Sequence, residues 1–273
     1  MRVNVDTVND YLSGKDLNNY SNQWIFKSIE KDKYLIEKVS ENKRDTIKKI
    51  TYLLQKELVN FKPYNIEIWN LIFPRWESII NSSLVYLVVG CPNPYDAMTR
   101  VSPKGEEAII IDINRMLSYV NKGEEVIDII KNLFTHEYAH TCIHCKYPPL
   151  NSTEDLENIQ YLCFDEGIAH FLSFDKDIKT VQWHSNVMKD RKKNAYNMLK
   201  VAITQKQDNK EILEKANSGP FWEKFGAISG LFTISDAFVE SKYNYDSIVE
   251  LYNRGPKEFL IDIFKVNNEE KDR

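Results

Sequence analysis

Two histidines and a glutamate stand at a spacing that suits a metal centre: His136-Glu137-Tyr138-Ala139-His140 reads H-E-x-x-H. Residues four apart lie on one face of a helix, so both imidazoles can reach one metal ion. Glu137 projects beside that face, where it can act as general base on a metal-bound water. With 5 His and 22 Glu in the chain, chance supplies only about 0.007 such motifs. The motif predicts a catalytic zinc, and the competing interpretation is two ordinary helix histidines.

A catalytic zinc usually takes three protein ligands and one water, so the motif needs a third ligand. His144 continues the stripe, but it lies eight residues from His136, about 12 Å along a helix axis, which is too far to share one ion. Glu166 is the better candidate. A chain that turns after Pro148-Pro149 can return as a second, antiparallel helix and bring this carboxylate back to the two imidazoles.

Three residues close to Glu166 in the sequence also have predicted roles. Gly167 costs a helix about 1 kcal/mol against Ala, which indicates a place where two helices approach closely. Asp165 points about 100° away from Glu166 and is interpreted either as support for the site or as a solvated or capping residue. His170 lies four residues on, on the face of Glu166, so we expect it near the metal as an oxyanion donor or as a residue that supports the metal site. A plain core or surface histidine is the alternative. Weaker candidates for the donor are His184, Tyr161 and Tyr243.

The cysteines allow a rival metal site. Cys142 and Cys145 form a C-x-x-C pair, which can bind zinc or carry redox chemistry. A zinc-ribbon site needs a second close pair, and Cys91 and Cys163 are isolated in the sequence. We therefore expect buried, unreactive thiols.

Helices and strands that position these residues follow from the apolar pattern. Two short β-branched runs, 84–90 and 108–113, predict strands, separated by a polar loop at 91–107 that contains three prolines. Residues 1–40 favour short helices, and 267–273 a charged, disordered tail. Apolar residues at three- and four-residue spacing predict helices over 43–61, 69–79 with a break at Pro74, 123–146, 153–174, and most of 177–268.

Composition narrows the class of protein. The net charge is −4 and the pI about 5.8, so the basic footprint of a nucleic-acid binder is missing. No run of 18 apolar residues occurs, which predicts no membrane span. The N-terminal residues lack the apolar region of a secretory signal, so we expect a cytoplasmic protein.

H-E-x-x-H followed by E-G-x-A on the next helix resembles the gluzincin zinc metallopeptidases, in particular a bacterial family of predicted zinc-dependent proteases. The resemblance covers about 84–173. It implies His136, His140 and Glu166 as ligands of one Zn²⁺ per chain and Glu137 as the base. Two features depart from it. Phe225 stands where those relatives often carry a tyrosine, and the G-x-M-E-N motif of the aminopeptidase branch is missing, which weighs against that activity.

The resemblance also implies a fold: zincin-like, α+β and mostly α, with a small sheet packed on the active-site helix and a helical C-terminal lobe. We expect an N-terminal helical region at 1–82, a catalytic core at 83–175 and a helical subdomain at 176–273, in one globular unit with a cleft between lobes. In this class the strand corresponding to 108–113 often pairs with extended substrate.

The predicted function is a zinc-dependent metallopeptidase, an endopeptidase that acts on peptides or unfolded polypeptides through a zinc-bound water with Glu137 as general base. Two alternatives stay open. One is a zinc-binding regulatory or interaction protein on the same fold, with little turnover. The other is a helical interaction protein in which the motif is coincidental.

Overall fold

In the part of the chain that the structure describes, the protein is mostly helical with one small mixed sheet, which confirms the predicted α+β class. The computed structural model describes residues 1–26, 36–93, 95–120, 126–150, 152–204 and 210–259. No helix in these ranges is long and apolar enough to cross a membrane. The strands are β1 (Arg2–Asn4), β2 (Leu84–Val88), β3 (Ala97–Val101) and β4 (Glu107–Asp112). The helices are α1 (Asp6–Leu12), α2 (Arg44–Val59), α3 (Ile66–Ile72), α4 (Trp76–Ser82), α5 (Ile113–Val120), α6 (Val126–His144), α7 (Asp155–Ser173), α8 (Asn186–Thr204), α9 (Lys210–Ala216), α10 (Phe225–Glu240), α11 (Asp246–Arg254) and α12 (Pro256–Phe259).

Most predicted helices are confirmed. Helix α2 matches the segment 43–61, and α3 and α4 stand on either side of the expected break at Pro74. Helices α6 and α7 carry the two motif segments. The predicted start of α6 at 123 and the charged tail at 267–273 lie outside the described residues.

The chain divides into two compact units, Met1–Pro63 with Arg75–Thr141, and Tyr64–Pro74 with Cys142–Arg273. Helix α6 is continuous through this boundary, so its last turn belongs to the second unit. The division at 82 and 175 stays a prediction, as does the expected cleft.

The sheet belongs to the first unit and has the order β1-β2-β4-β3. Strands β1, β2 and β4 run parallel, and β3 is antiparallel to β4. Leu87 of β2 and Ile111 of β4 are fully buried and stand side by side in the register. Parallel strands buried on both faces read as continuous apolar runs, which is why both were predictable from the sequence.

Strand β3 corrects two expectations. It lies within 91–107, which was predicted to be loop; Pro92 and Pro103 flank the strand rather than interrupt it, so they mark its ends. The predicted pairing of the 108–113 strand with substrate is also wrong. Both edges of β4 are already taken, by β2 and β3, so among the described strands the edges of the sheet are β3 and, on the other side, β1.

Helix α6 is fixed in the first unit by aromatic packing. Phe134 and Tyr138 are fully buried, and their ring centroids lie 5.9 and 5.2 Å from that of Phe61. His136 and His140 each follow two positions later, about 200° round the helix. Burial of the aromatic face therefore turns the two histidines to the opposite side.

In the second unit, α7 and α10 meet along glycines. A Cβ on Gly167 would lie 2.6 Å from the Cα of Gly230, and a Cβ on Gly230 would lie 1.8 Å from the carbonyl oxygen of Cys163. Neither position can hold a side chain without separating the two helices. The close helix approach predicted from Gly167 is confirmed, and its partner is α10.

Candidate metal centre

The two motif histidines stand one turn apart on α6 with their rings nearly perpendicular. The Nε2 atoms of His136 and His140 are 3.1 Å apart. His140 is buried and His136 half-buried. Two ring nitrogens that face each other at this distance can bind the same ion.

Glu137 is also buried, with 5% of its surface exposed. Its Oε2 accepts a hydrogen bond of 2.8 Å from Thr99 Oγ1 on β3. The edge strand thus contacts the carboxylate predicted to be the general base. Sequence reasoning missed Thr99 because it lies in the segment predicted to be loop, and a single threonine carries no motif.

Glu166 of α7 joins the two imidazoles. Each of His136, His140 and Glu166 offers one ligand atom, and these atoms all lie within 4.8 Å of one another. Asn217 Nδ2 donates a hydrogen bond of 2.6 Å to Glu166 Oε1. His170 Nε2 lies 3.5 Å from the other oxygen, Oε2. The structure brings together the three residues predicted as ligands.

This donor set fits a zinc ion. Zinc binds imidazole nitrogen and carboxylate oxygen at about 2.0–2.2 Å, so two nitrogens on a tetrahedral ion lie about 3.4 Å apart. The Nε2 atoms of His136 and His140 are close to that separation. Two histidines and one glutamate also form a ligand set of catalytic zinc sites that keep a fourth position open.

A second group shares one of these histidines. His140, His144 and Asp165 also offer ligand atoms within 4.8 Å of one another, and His144 Nε2 lies 3.3 Å from Asp165 Oδ2. His144 is not in the group that contains His136 and Glu166, in agreement with the distance argument. The described contact of Asp165 is therefore with a histidine outside the predicted ligand set, and its supporting role toward the metal site stays a prediction.

His170 lies beside Glu166, and its ring also packs edge-on against Phe221, with 4.9 Å between centroids. Its predicted role as oxyanion donor stays a prediction, because the described contact is with the carboxylate of Glu166. Tyr161, a weaker candidate, donates its hydroxyl to the backbone oxygen of Tyr147 at 2.9 Å.

The four cysteines are free thiols. Cys91, Cys142 and Cys163 are buried as expected, whereas Cys145 is exposed, so the expectation of a buried thiol is wrong for Cys145. Burial raises the pKa of the Cys163 thiol well above its ordinary value, which disfavours the reactive thiolate. No cysteine takes part in either metal-capable group of the described residues.

Asn217 is the second residue that sequence reasoning missed, since nothing in the sequence around it marks a partner for Glu166. Thr99 contacts Glu137 within the first unit, and Asn217 contacts Glu166 within the second. Comparison of the chain with protein-family models, with curated proteins and with solved structures finds no match.

Proposed function

We propose that this protein is a zinc-dependent metallopeptidase, an endopeptidase that hydrolyses peptide bonds in peptides or unfolded polypeptides. The convergence of His136, His140 and Glu166, with Glu137 next to the first histidine, carries the proposal. The resemblance of H-E-x-x-H and E-G-x-A to gluzincins supports it.

The proposed roles follow from the chemistry of each side chain. His136, His140 and Glu166 would hold the ion, which when bound supplies Lewis-acid activation of water and of the scissile carbonyl. Glu137 accepts the proton of the attacking water and transfers it to the leaving amine. Thr99 fixes the orientation of the Glu137 carboxylate through its hydrogen bond.

A polypeptide substrate is favoured by the edge strand. Strand β3 stands at the end of the sheet and carries Thr99, which contacts the proposed base. An extended peptide can add to such an edge through main-chain hydrogen bonds, which do not depend on its sequence. Binding there would bring a peptide backbone close to Glu137.

Metal content and turnover test the proposal separately. Purified wild type should contain about one zinc per chain by elemental analysis, and His136→Ala and Glu166→Ala should lose it. Glu137→Gln should keep zinc yet stop cleavage of unfolded casein, because an amide cannot accept the proton. Glu77→Gln, the same change at an exposed position of α4, is the matched control and should behave like wild type.

Two results would count against the proposal. A folded wild type that contains no zinc and ignores added zinc would overturn it entirely. A zinc-loaded wild type that leaves casein intact from about pH 5 to about pH 9 would overturn the peptidase activity and favour a zinc-binding regulatory protein.

A further inference from the structure

We infer that Asn217 is a positioning residue that orients the Glu166 carboxylate for metal binding. This inference rests on the proposed zinc site and extends it to a residue 51 positions away in the sequence. Four observations carry it: the contact itself, the packing that places Asn217, the cost of that placement, and the chemistry of carboxylate ligands.

The contact is short and has a defined direction. Asn217 Nδ2 lies 2.6 Å from Glu166 Oε1. An ionised carboxylate only accepts hydrogen bonds, so the amide nitrogen is the atom that must face it. With one oxygen held by Asn217, the carboxylate can no longer rotate freely about its last side-chain bond.

The packing of the backbone places Asn217 there. Its neighbour Ala216 is fully buried and lies against Gly226 of α10. A Cβ on Gly226 would lie 3.0 Å from the Ala216 oxygen and 2.7 Å from Leu162 Cδ2. Leu162 is on α7, one turn before Glu166. Close packing at Gly226 therefore fixes the position of the helix that carries the carboxylate and of the segment that carries its hydrogen-bond donor.

The arrangement costs stability. Asn217 Oδ1 is buried, and within the described residues it has no hydrogen-bond partner. A buried polar atom without a partner destabilises the folded protein, because it has given up its hydrogen bonds to water. An apolar side chain would avoid this cost, so the contact with Glu166 is the reason for an amide at this position.

The chemistry of metal sites gives this contact a purpose. Carboxylates that bind metals are usually hydrogen-bonded by neighbouring groups, and loss of such a partner weakens metal affinity by about 10- to 100-fold. A neutral amide is suited to the role because it holds the carboxylate without competing with the ion for its charge.

The experiment measures zinc affinity by competition with a chromogenic chelator in full-length protein. Asn217→Ala should weaken zinc binding by about 10-fold or more, and Asn217→Asp should weaken it further, because the new carboxylate repels Glu166. The control is Asn194→Asp, which makes the same change of charge on an exposed position of α8; it should bind zinc like wild type. Substituted cobalt reports ligand geometry, so its visible spectrum should change in Asn217→Ala and not in the control.

Thermal unfolding of the metal-free proteins separates positioning from structural damage. Metal-free Asn217→Ala should still unfold cooperatively and melt close to the wild-type temperature, since the lost hydrogen bond to Glu166 is offset by the removal of a buried unsatisfied atom, while its stabilisation by zinc should shrink. Wild-type zinc affinity and an unchanged cobalt spectrum in both Asn217 variants would overturn this inference alone, provided that Glu166→Ala still loses zinc. A wild type that binds no zinc would overturn the proposed function and this inference together.

Discussion

Thr99 Oγ1 lies 2.8 Å from Glu137 Oε2 and donates a hydrogen bond to it. The threonine belongs to β3, an edge strand of the sheet, and the glutamate belongs to the helix that carries both motif histidines. The strand proposed to bind a peptide and the residue proposed to move the proton are therefore linked by one side-chain contact. Displacement of β3 would move the hydroxyl group that is hydrogen-bonded to Glu137 and so change the orientation of its carboxylate.

Replacement of Thr99 tests this link. Thr99→Val keeps the shape of the side chain and removes the donor, so we expect kcat/KM on casein to fall by roughly 10-fold or more, the loss typical of a hydrogen bond to a charged group. Zinc content should not change. Thr99→Ser restores the hydroxyl and should recover most of the activity. Equal activity in the valine and serine variants would show that the hydrogen bond is unimportant.

His144 should not be needed for zinc. We predict that His144→Ala retains about one zinc per chain, whereas His140→Ala, the same change one turn earlier, loses it. The physical reason is that His144 joins the group with Asp165 rather than the group with His136 and Glu166. Elemental analysis after dialysis decides the matter, and loss of zinc in His144→Ala would move the metal to the second group.

Because α7 and α10 pack closely at Gly230, we expect one methyl group added there to lower the stability of the protein strongly. Gly230→Ala should lower the free energy of unfolding by about 3 kcal/mol, because the new Cβ collides with the Cys163 carbonyl, which is backbone and cannot rotate away. Urea unfolding measures the change. Asn194→Ala, on the exposed side of α8, should leave the midpoint nearly unchanged. Wild-type stability in Gly230→Ala would mean that the two helices pack less closely than described.

Asp112 predicts a dependence of stability on pH. Burial at the end of β4 raises the pKa of its carboxyl from 3.8 to about 7, opposed by hydrogen bonds from the backbone N–H groups of Arg115 and Cys91. At pH values between these two pKa values, Asp112 keeps its proton in the folded state and releases it in the unfolded state. The stabilisation from this proton is complete below about pH 4 and is lost as the pH rises through about 7.

The variant Asp112→Asn removes this titration. We expect wild type to lose stability relative to the variant as the pH rises from about 4 to about 7, with a slope of up to about 1.4 kcal/mol per pH unit. Urea midpoints at several pH values give the comparison. The control Asp190→Asn changes an exposed carboxyl on α8 and should run parallel to wild type. A constant difference between wild type and Asp112→Asn across this range would contradict the prediction.

The helices and strands that have a regular pattern of apolar residues could be predicted from the sequence. Helices α2, α6 and α7 have apolar residues at helical spacing, and β2 and β4 are continuous apolar runs. The motif residues converge because a motif helix, a double-proline stop and a returning helix constrain one another within about thirty residues. Gly167 was informative for the same reason, since a glycine inside a helix needs a packing explanation.

Other parts of the structure depend on contacts between distant residues. Strand β1 is three residues long and pairs with β2, more than eighty positions away, which no local pattern encodes. Thr99 and Asn217 are single polar residues whose roles appear only when the strand or segment that carries them is placed. Polar contacts of this kind depend on the tertiary structure and leave no periodicity in the sequence.

The rings of Phe134 and Tyr138 rest on Phe61, and this has a consequence for how the protein can be produced in parts. A truncated product spanning 84–173 would contain every proposed ligand and the proposed base. It would lack the aromatic residue against which the motif helix is oriented, and that helix would expose two large rings to water. We expect such a truncation to aggregate on expression, so the recombinant boundaries should enclose the N-terminal residues as well as the motifs.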